Sequence, residues 1–172
     1  MIERSKPHSR AARRLSLLAV LAVVTAVAAG CGSGEPKTES MTLRFVWTES
    51  KERLAVDLPP KGKVNRGDVI TARSILRNAV AQLGKPKGAV VGHQVATFDV
   101  VSAQKATIRI RLTLPGGGFD GSGRASTAPW HGPLTVSSGK GSFTGVSGTG
   151  TLRQFFERST SVFRLQIPRS AS

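Results

Sequence analysis

The segment "KATIRIRLTLP", residues 105–115, constrains the fold more than any other stretch of the chain. Ile108, Ile110, Leu112 and Leu114 alternate with Arg109, Arg111 and Thr113, giving one apolar face and one cationic or polar face at a period of two, which predicts a strand buried on one side. "MTLRFVW" repeats the pattern more briefly, and "SVFRLQIP" sets Phe163, Leu165 and Ile167 against Val162, Arg164 and Gln166. "GAVVGHQVATFDVVS", residues 88–102, reads as one extended strand bent at Gly92. In "DVITARSILRNAVAQLG", residues 68–84, Ile75, Ala79, Val80 and Leu83 also sit at helical spacing. Its β-branched opening favours a strand, with a turn or short helix after Asn78. Short strands punctuated by Gly and Pro predict an all-β sandwich or barrel. Function then sits in a lumen, at its mouth or on the charged exterior.

"TVSSGKGSFTGVSGTGTL", residues 135–152, is dense in glycine and invites a phosphate-binding reading. A P-loop needs Gly, four residues, then Gly-Lys-Ser/Thr. Here Leu134 stands in the place of the first glycine and Gly141 in that of the hydroxyl residue. The GxGxxG fingerprint fails as well, because counting from Gly139 puts Thr144 at the third glycine. Val136, Phe143, Val146 and Leu152 supply apolar content that disordered linkers lack. The stretch is therefore expected to be two strands joined across a glycine-rich turn, with glycines where a closed sheet bends.

The N-terminus carries Arg4, Lys6, Arg10, Arg13 and Arg14, then the apolar run "LSLLAVLAVVTAVAA", and then Cys31, the only cysteine of the chain. The run has the length of a signal-peptide core and falls short of the roughly 20 residues of a membrane span. "VAAGC" resembles the lipobox of bacterial lipoproteins, which implies export, a lipidated (palmitate-bearing) Cys31 and a cell-membrane anchor facing outside the cytoplasm. The alternative is an ordinary signal peptide cut after "AVA" or "VAA". Arg13-Arg14 before "LSLL" also looks like a loose twin-arginine signal. The expected organisation is a signal peptide over 1–30, a tether over 31–40 and one β-barrel domain over 41–168. One thiol permits no disulfide within the chain, so the domain stands on its core alone.

The formal net charge is +15. Five of the 25 Lys+Arg and one of the 10 Asp+Glu lie in residues 1–30, so the exported portion keeps 20 against nine, or +11. Such a surface attracts anionic wall polymers or lipid head groups through a field that salt screens. Export and the low aromatic content exclude nucleic acid as the expected partner.

Four segments in order also resemble the dirigent and allene oxide cyclase barrel-like proteins. "GPLTVSSGKGSFTGVSGTGTLR" is similar to their glycine-rich hairpin and "VDLPPKGKVNRGDVITARSIL" to the region with their Gly-Asp pair. "KPKGAVVGHQVATFDVV" and "LPGGGFDGSGRAS" are similar to a strand and a turn of the same family. The resemblance spans residues 42–167 and implies an antiparallel eight-stranded β-barrel with an apolar lumen open at one end. In plant members the lumen steers radical coupling or cyclises an unstable epoxide, using a few carboxylate, tyrosine or arginine side chains. This chain has no Tyr. Where dirigent proteins carry acidic residues after the Gly-Asp pair, it has Arg73, Ser74 and Ile75.

The candidate catalytic residues are His93, Asp99 and Arg73, and the candidate ligand-binding residues are Thr97, Trp130 and His131. His93, Thr97 and Asp99 share strand parity and would line the lumen together, or else lie on the surface. Six residues, about 20 Å of strand, separate His93 from Asp99 and preclude direct pairing. Trp130 and His131, in "APWHGP", are expected near a barrel end, as a gate or as packing, and Asp120 in "GFDGSG" as a turn former. Three histidines, one of them in the signal peptide, and a single thiol lead to an expectation of no metal, no cofactor and no Ser-His-Asp set. The leading functional expectation is a lipid-anchored barrel that binds an apolar or amphiphilic small molecule. A dirigent-like or cyclase-like enzyme confining a reactive intermediate, and a non-catalytic surface protein docking on anionic wall or lipid, are the alternatives.

Overall fold

The computed structural model describes residues 37–61, 63–127, 129–154 and 159–169, with the side chains of 49–54 left aside. The segment expected as signal peptide, residues 1–30, and Cys31 lie outside the described residues. Eight strands follow in chain order: β1 (Thr38–Val56), β2 (Val69–Asn78), β3 (Val90–Ser102), β4 (Lys105–Leu114), β5 (Gly117–Thr127), β6 (Trp130–Gly141), β7 (Ser147–Arg153) and β8 (Ser159–Pro168). Each pairs antiparallel with the next, and β8 closes on β1, giving a closed eight-stranded barrel. β1 starts at Thr38, inside the segment expected as tether.

In β4 the sequence alternation is reproduced residue for residue: Ile108, Ile110, Leu112 and Leu114 are buried while Arg109 and Arg111 face out. β2 runs through Asn78, and the following residues form bends and turns, with Gln82 bridging Lys85. No helix follows Asn78, because its side chain organises the connection instead. Asn78 Nδ2 donates to the carbonyls of Gln82, Lys85 and Pro86. The Gln82 side-chain amide then accepts from Arg44 N–H and donates to Arg44 C=O, pinning the connection to β1.

Hydrogen-bonded partners followed round the barrel from Leu54 run through Ile70, Phe98, Ile108, Gly123, Leu134, Gly150 and Phe163, and return to β1 at Leu43, 11 residues away. One of these is Ser50, an extra residue between Glu49 and Lys51, whose partners are the consecutive Ser74 and Arg73. The stagger is therefore ten residues over eight strands, which corresponds to a strand tilt of roughly 40°.

The two ends of the barrel differ. The lower end holds both termini of the described barrel and the connections after β2, β4 and β6. There Phe143 and Val146, from the glycine-rich turn between β6 and β7, are tucked inside, so the glycine stretch closes one end of the barrel. Phe119 links Phe143, at 5.5 Å between ring centroids, to Phe163, at 5.0 Å, and Phe45 lies 6.3 Å from Phe163. Gly150 makes this aromatic packing possible, because a Cβ there would lie 2.5 Å from the Phe163 ring.

The upper end carries the connections after β1, β3, β5 and β7. Asp68, fully buried, holds the 57–68 connection by accepting from Leu58 N–H at 2.8 Å and Asn65 N–H at 2.7 Å. Asn65 Nδ2 in turn donates to the carbonyls of Leu58, Pro60 and Lys63. The Gly-Asp pair of the family resemblance thus includes a carboxylate with a structural task.

Candidate functional site

The inward face of β3 consists of Val91, Gln94, Ala96, Phe98 and Val100. His93, Thr97 and Asp99 lie on the opposite parity, on the outer wall, and His93 is exposed. Of the two placements open to these residues, the lumen is ruled out and the surface is the one adopted. They face out because Ala96 and Phe98 take the inward parity opposite Ala72 and Ile70, with Val100 beyond them; Val91, an extra residue opposite Leu76 and Arg77, changes the parity only upstream of Gly92. Asp99 is held outside by Arg109, whose guanidinium lies 3.0 Å from its carboxylate.

Arg73 is also exposed on the outer wall of β2, and the neighbouring Ser74 takes the inward position. His131 faces out as well, with its ring Nδ1 2.8 Å from the Pro129 carbonyl. Trp130 is half-buried at the upper end and packs on Phe98 with ring centroids 4.4 Å apart. Asp120 belongs to β5 and forms no turn. Its carboxylate takes a two-point contact from Arg111, at 2.8 and 3.2 Å, which holds its carboxyl below the usual carboxylate range. Thr97, Arg109, Arg111 and Asp120 thus share an open external groove of about 490 Å³.

Inside the barrel, four side chains outside the set of candidate site residues stand out. Trp47, Ser74, Gln94 and Ser161 are 1–2% exposed. Trp47 Nε1, Ser74 Oγ, both polar atoms of the Gln94 amide and Ser161 Oγ have no hydrogen-bond partner among the described residues. A buried polar group left unpaired costs about 1–3 kcal/mol, so a cluster of them runs against folding stability.

Register brings these groups together. Ser161 pairs with Phe45, Trp47 lies two residues further on, Trp47 pairs with Leu76, Ser74 lies two residues further on, and Ser74 pairs directly with Gln94. The path climbs four residues over three strand steps, close to the 1.25 per strand set by the stagger of ten over eight. The four groups therefore lie within about 4 Å of one height along the barrel axis, given strands about 4.8 Å apart and 3.3 Å of rise per residue. They form an arc on β8, β1, β2 and β3. Directly above Ser74 and Gln94, the paired inward residues are Ala72 and Ala96, two of the smallest side chains of the lumen.

One further buried and unpartnered oxygen, Asp57 Oδ1, lies at the upper end, just past β1. Among the described residues no group of three or more His, Cys, Asp or Glu is placed to hold a metal ion. Sequence patterning marks Gln94 only as a polar residue among Val, Ala and Phe, and Ser74 only by its place where dirigent proteins carry acidic residues.

No family model and no curated protein matches the chain. Solved structures do match at the level of fold. A pyocyanin demethylase matches with TM-score 0.59 at 14% identity, over 73% of this chain and 99% of the demethylase. The pterocarpan synthase dirigent protein matches with TM-score 0.62 at 12% identity, over 79% of this chain and 94% of that one. A nonspecific heme-binding cyclase that catalyses a [4 + 2] cycloaddition in neoabyssomicin biosynthesis matches with TM-score 0.52 at 16% identity, over 81% of this chain and 67% of the cyclase. The chain thus has a barrel fold of the dirigent-like and cyclase-like kind, and its structural neighbours bear enzymatic or dirigent names.

Proposed function

We propose that the protein is an exported, membrane-anchored lipoprotein whose barrel binds an apolar or amphiphilic small molecule in its lumen. The observation that carries this reading is the arc of unpartnered polar groups at mid-height in a mainly apolar interior, beside the small residues Ala72 and Ala96. Apolar walls with a few placed polar groups are the usual make-up of a small-molecule site. Native mass spectrometry of protein purified from its host tests the binding: a retained apolar mass is expected, and repeated empty preparations overturn it. Metabolic labelling with a fatty-acid probe tests the anchor, with label expected on the wild type and absent from Cys31→Ala. Equal labelling of both refutes it.

A second reading, a dirigent-like or cyclase-like enzyme, draws support from the names of the structural neighbours and from Asp57, whose buried oxygen supplies a carboxylate near one end of the barrel. Such a carboxylate is suited to proton transfer. An Asp57→Asn variant that binds ligand as the wild type does and loses turnover would favour this reading.

Docking on anionic lipid or wall polymer draws support from the upper end. Val56, Leu58, Val64 and Val101 are exposed there, close in sequence to Lys61, Lys63, Arg66 and Lys105. Binding to anionic vesicles that falls steeply with salt is expected on this reading, and salt-independent binding rejects it.

A further inference from the structure

The polar arc also carries a statement about the chemistry of the ligand, which rests on the lumen-binding reading above. Trp47 Nε1–H is a donor only, each serine hydroxyl donates or accepts, and the Gln94 amide offers two donor hydrogens and one acceptor oxygen. The set is rich in donors and holds no formal charge. The inward-facing strand residues described around it are apolar or neutral, with Ile110, Leu112, Leu134 and Leu152 among them. An ion buried here would lose its hydration without meeting an opposite charge, which weakens its binding strongly. A neutral oxygen pays no such penalty and meets up to four side chains able to donate to it.

We infer that Trp47, Ser74, Gln94 and Ser161 form a subsite for an uncharged, oxygen-bearing group, a ketone, amide or hydroxyl, on an otherwise apolar ligand. Ser74 and Gln94 are its centre, because they face each other directly across β2 and β3 and leave both amide atoms and the hydroxyl unpaired. Trp47 and Ser161 flank that centre from β1 and β8. Carboxylates and ammonium groups are excluded from it, although the exterior is strongly cationic. The outer charge attracts anions to the protein, and the lumen rejects them.

The test uses three bicyclic probes of similar size, measured by calorimetry on the whole exported domain. They are α-tetralone with one neutral carbonyl, tetralin with no oxygen, and tetralin carboxylate with a full charge. Binding of α-tetralone three- to tenfold tighter than tetralin is expected, the effect of about one net hydrogen bond, with the carboxylate weakest. In Gln94→Leu the preference for α-tetralone should fall to within twofold of tetralin while tetralin affinity holds, and Ser74→Ala should reduce the preference partially. NMR should show the Gln94 side-chain amide and the Trp47 indole N–H shifting with α-tetralone and not with tetralin. If all three probes bind alike, or if the carboxylate binds best, the subsite is wrong and lumen binding survives. If none binds, lumen binding itself falls, and the subsite with it. Thermal unfolding of each variant confirms that it is folded. Should Gln94→Leu fail to fold, the Ser74→Ala preference and the wild-type NMR shifts decide the question.

Discussion

Ser74 and Gln94 face each other across β2 and β3, each 1% exposed, and neither side chain finds a hydrogen bond among the described residues. Neighbouring polar groups of this kind normally pair with one another or with backbone. A pair left without partners costs stability at this mid-height position, and an apolar pair there would not.

Replacing them by apolar residues of similar shape should therefore stabilise the empty protein. Gln94→Leu is expected to raise stability by about 1–2 kcal/mol, since it removes an unpaired buried amide and adds apolar contact. Chemical denaturation of the ligand-free domain checks this. A loss of more than 1 kcal/mol would mean that the amide is satisfied in solution.

Gly150 lies against Phe163, and a Cβ at that position would sit 2.5 and 2.7 Å from two ring carbons. The ring has little room to retreat, because Phe163 is fully buried and already packs on Phe45 and Phe119. Gly150→Val should cost about 1–3 kcal/mol through overpacking and lower the melting temperature by roughly 5–10 °C. An unchanged melting temperature would show that the aromatic cluster is looser than this packing implies.

Asp68 acts through the two backbone N–H groups it accepts from. Asp68→Ala strands both donors in the 57–68 connection and should destabilise the domain by about 2–4 kcal/mol. Hydrogen exchange at the Leu58 and Asn65 amides should accelerate in the variant, and protection equal to wild type would remove this role from Asp68.

The Arg111 contact holds the Asp120 carboxyl below the usual carboxylate range. A carboxyl lowered on folding contributes stability above its unfolded value, near 3.9, and that contribution disappears as pH falls through the lower folded value. The pair is well exposed, so the contribution is small and screened by salt. NMR titration should place the Asp120 midpoint below the ordinary range, and Arg111→Ala should move it back up. A midpoint that ignores Arg111 contradicts this assignment.

The alternation in β4 was legible because every inward residue is apolar, four of them large, and every outward one polar, which leaves a single orientation against a core. The glycine-rich stretch was legible as a bent hairpin because its apolar residues and the failed phosphate spacings left little else. β3 was not legible to the same degree. His93, Thr97 and Asp99 share a parity that looks like a functional row, but Ala96, Phe98 and Val100 take the inward positions and leave that row outside. Val91, just upstream, breaks the alternation, so inward residues fall on both odd and even numbers within one strand, and such a bulge is a property of how two strands match in length and twist.

The sequence by itself determined the strand periods, the glycine-rich hairpin, and a net positive charge that persists beyond residue 30. Only the tertiary structure decided which residues share the lumen, because the arc of Ser161, Trp47, Ser74 and Gln94 comes from four strands and up to 114 residues of separation. Its alignment depends on the stagger at which β8 closes on β1. That closure is a long-range match of register, set when every inward face must meet the same core, and it is invisible to any window along the chain.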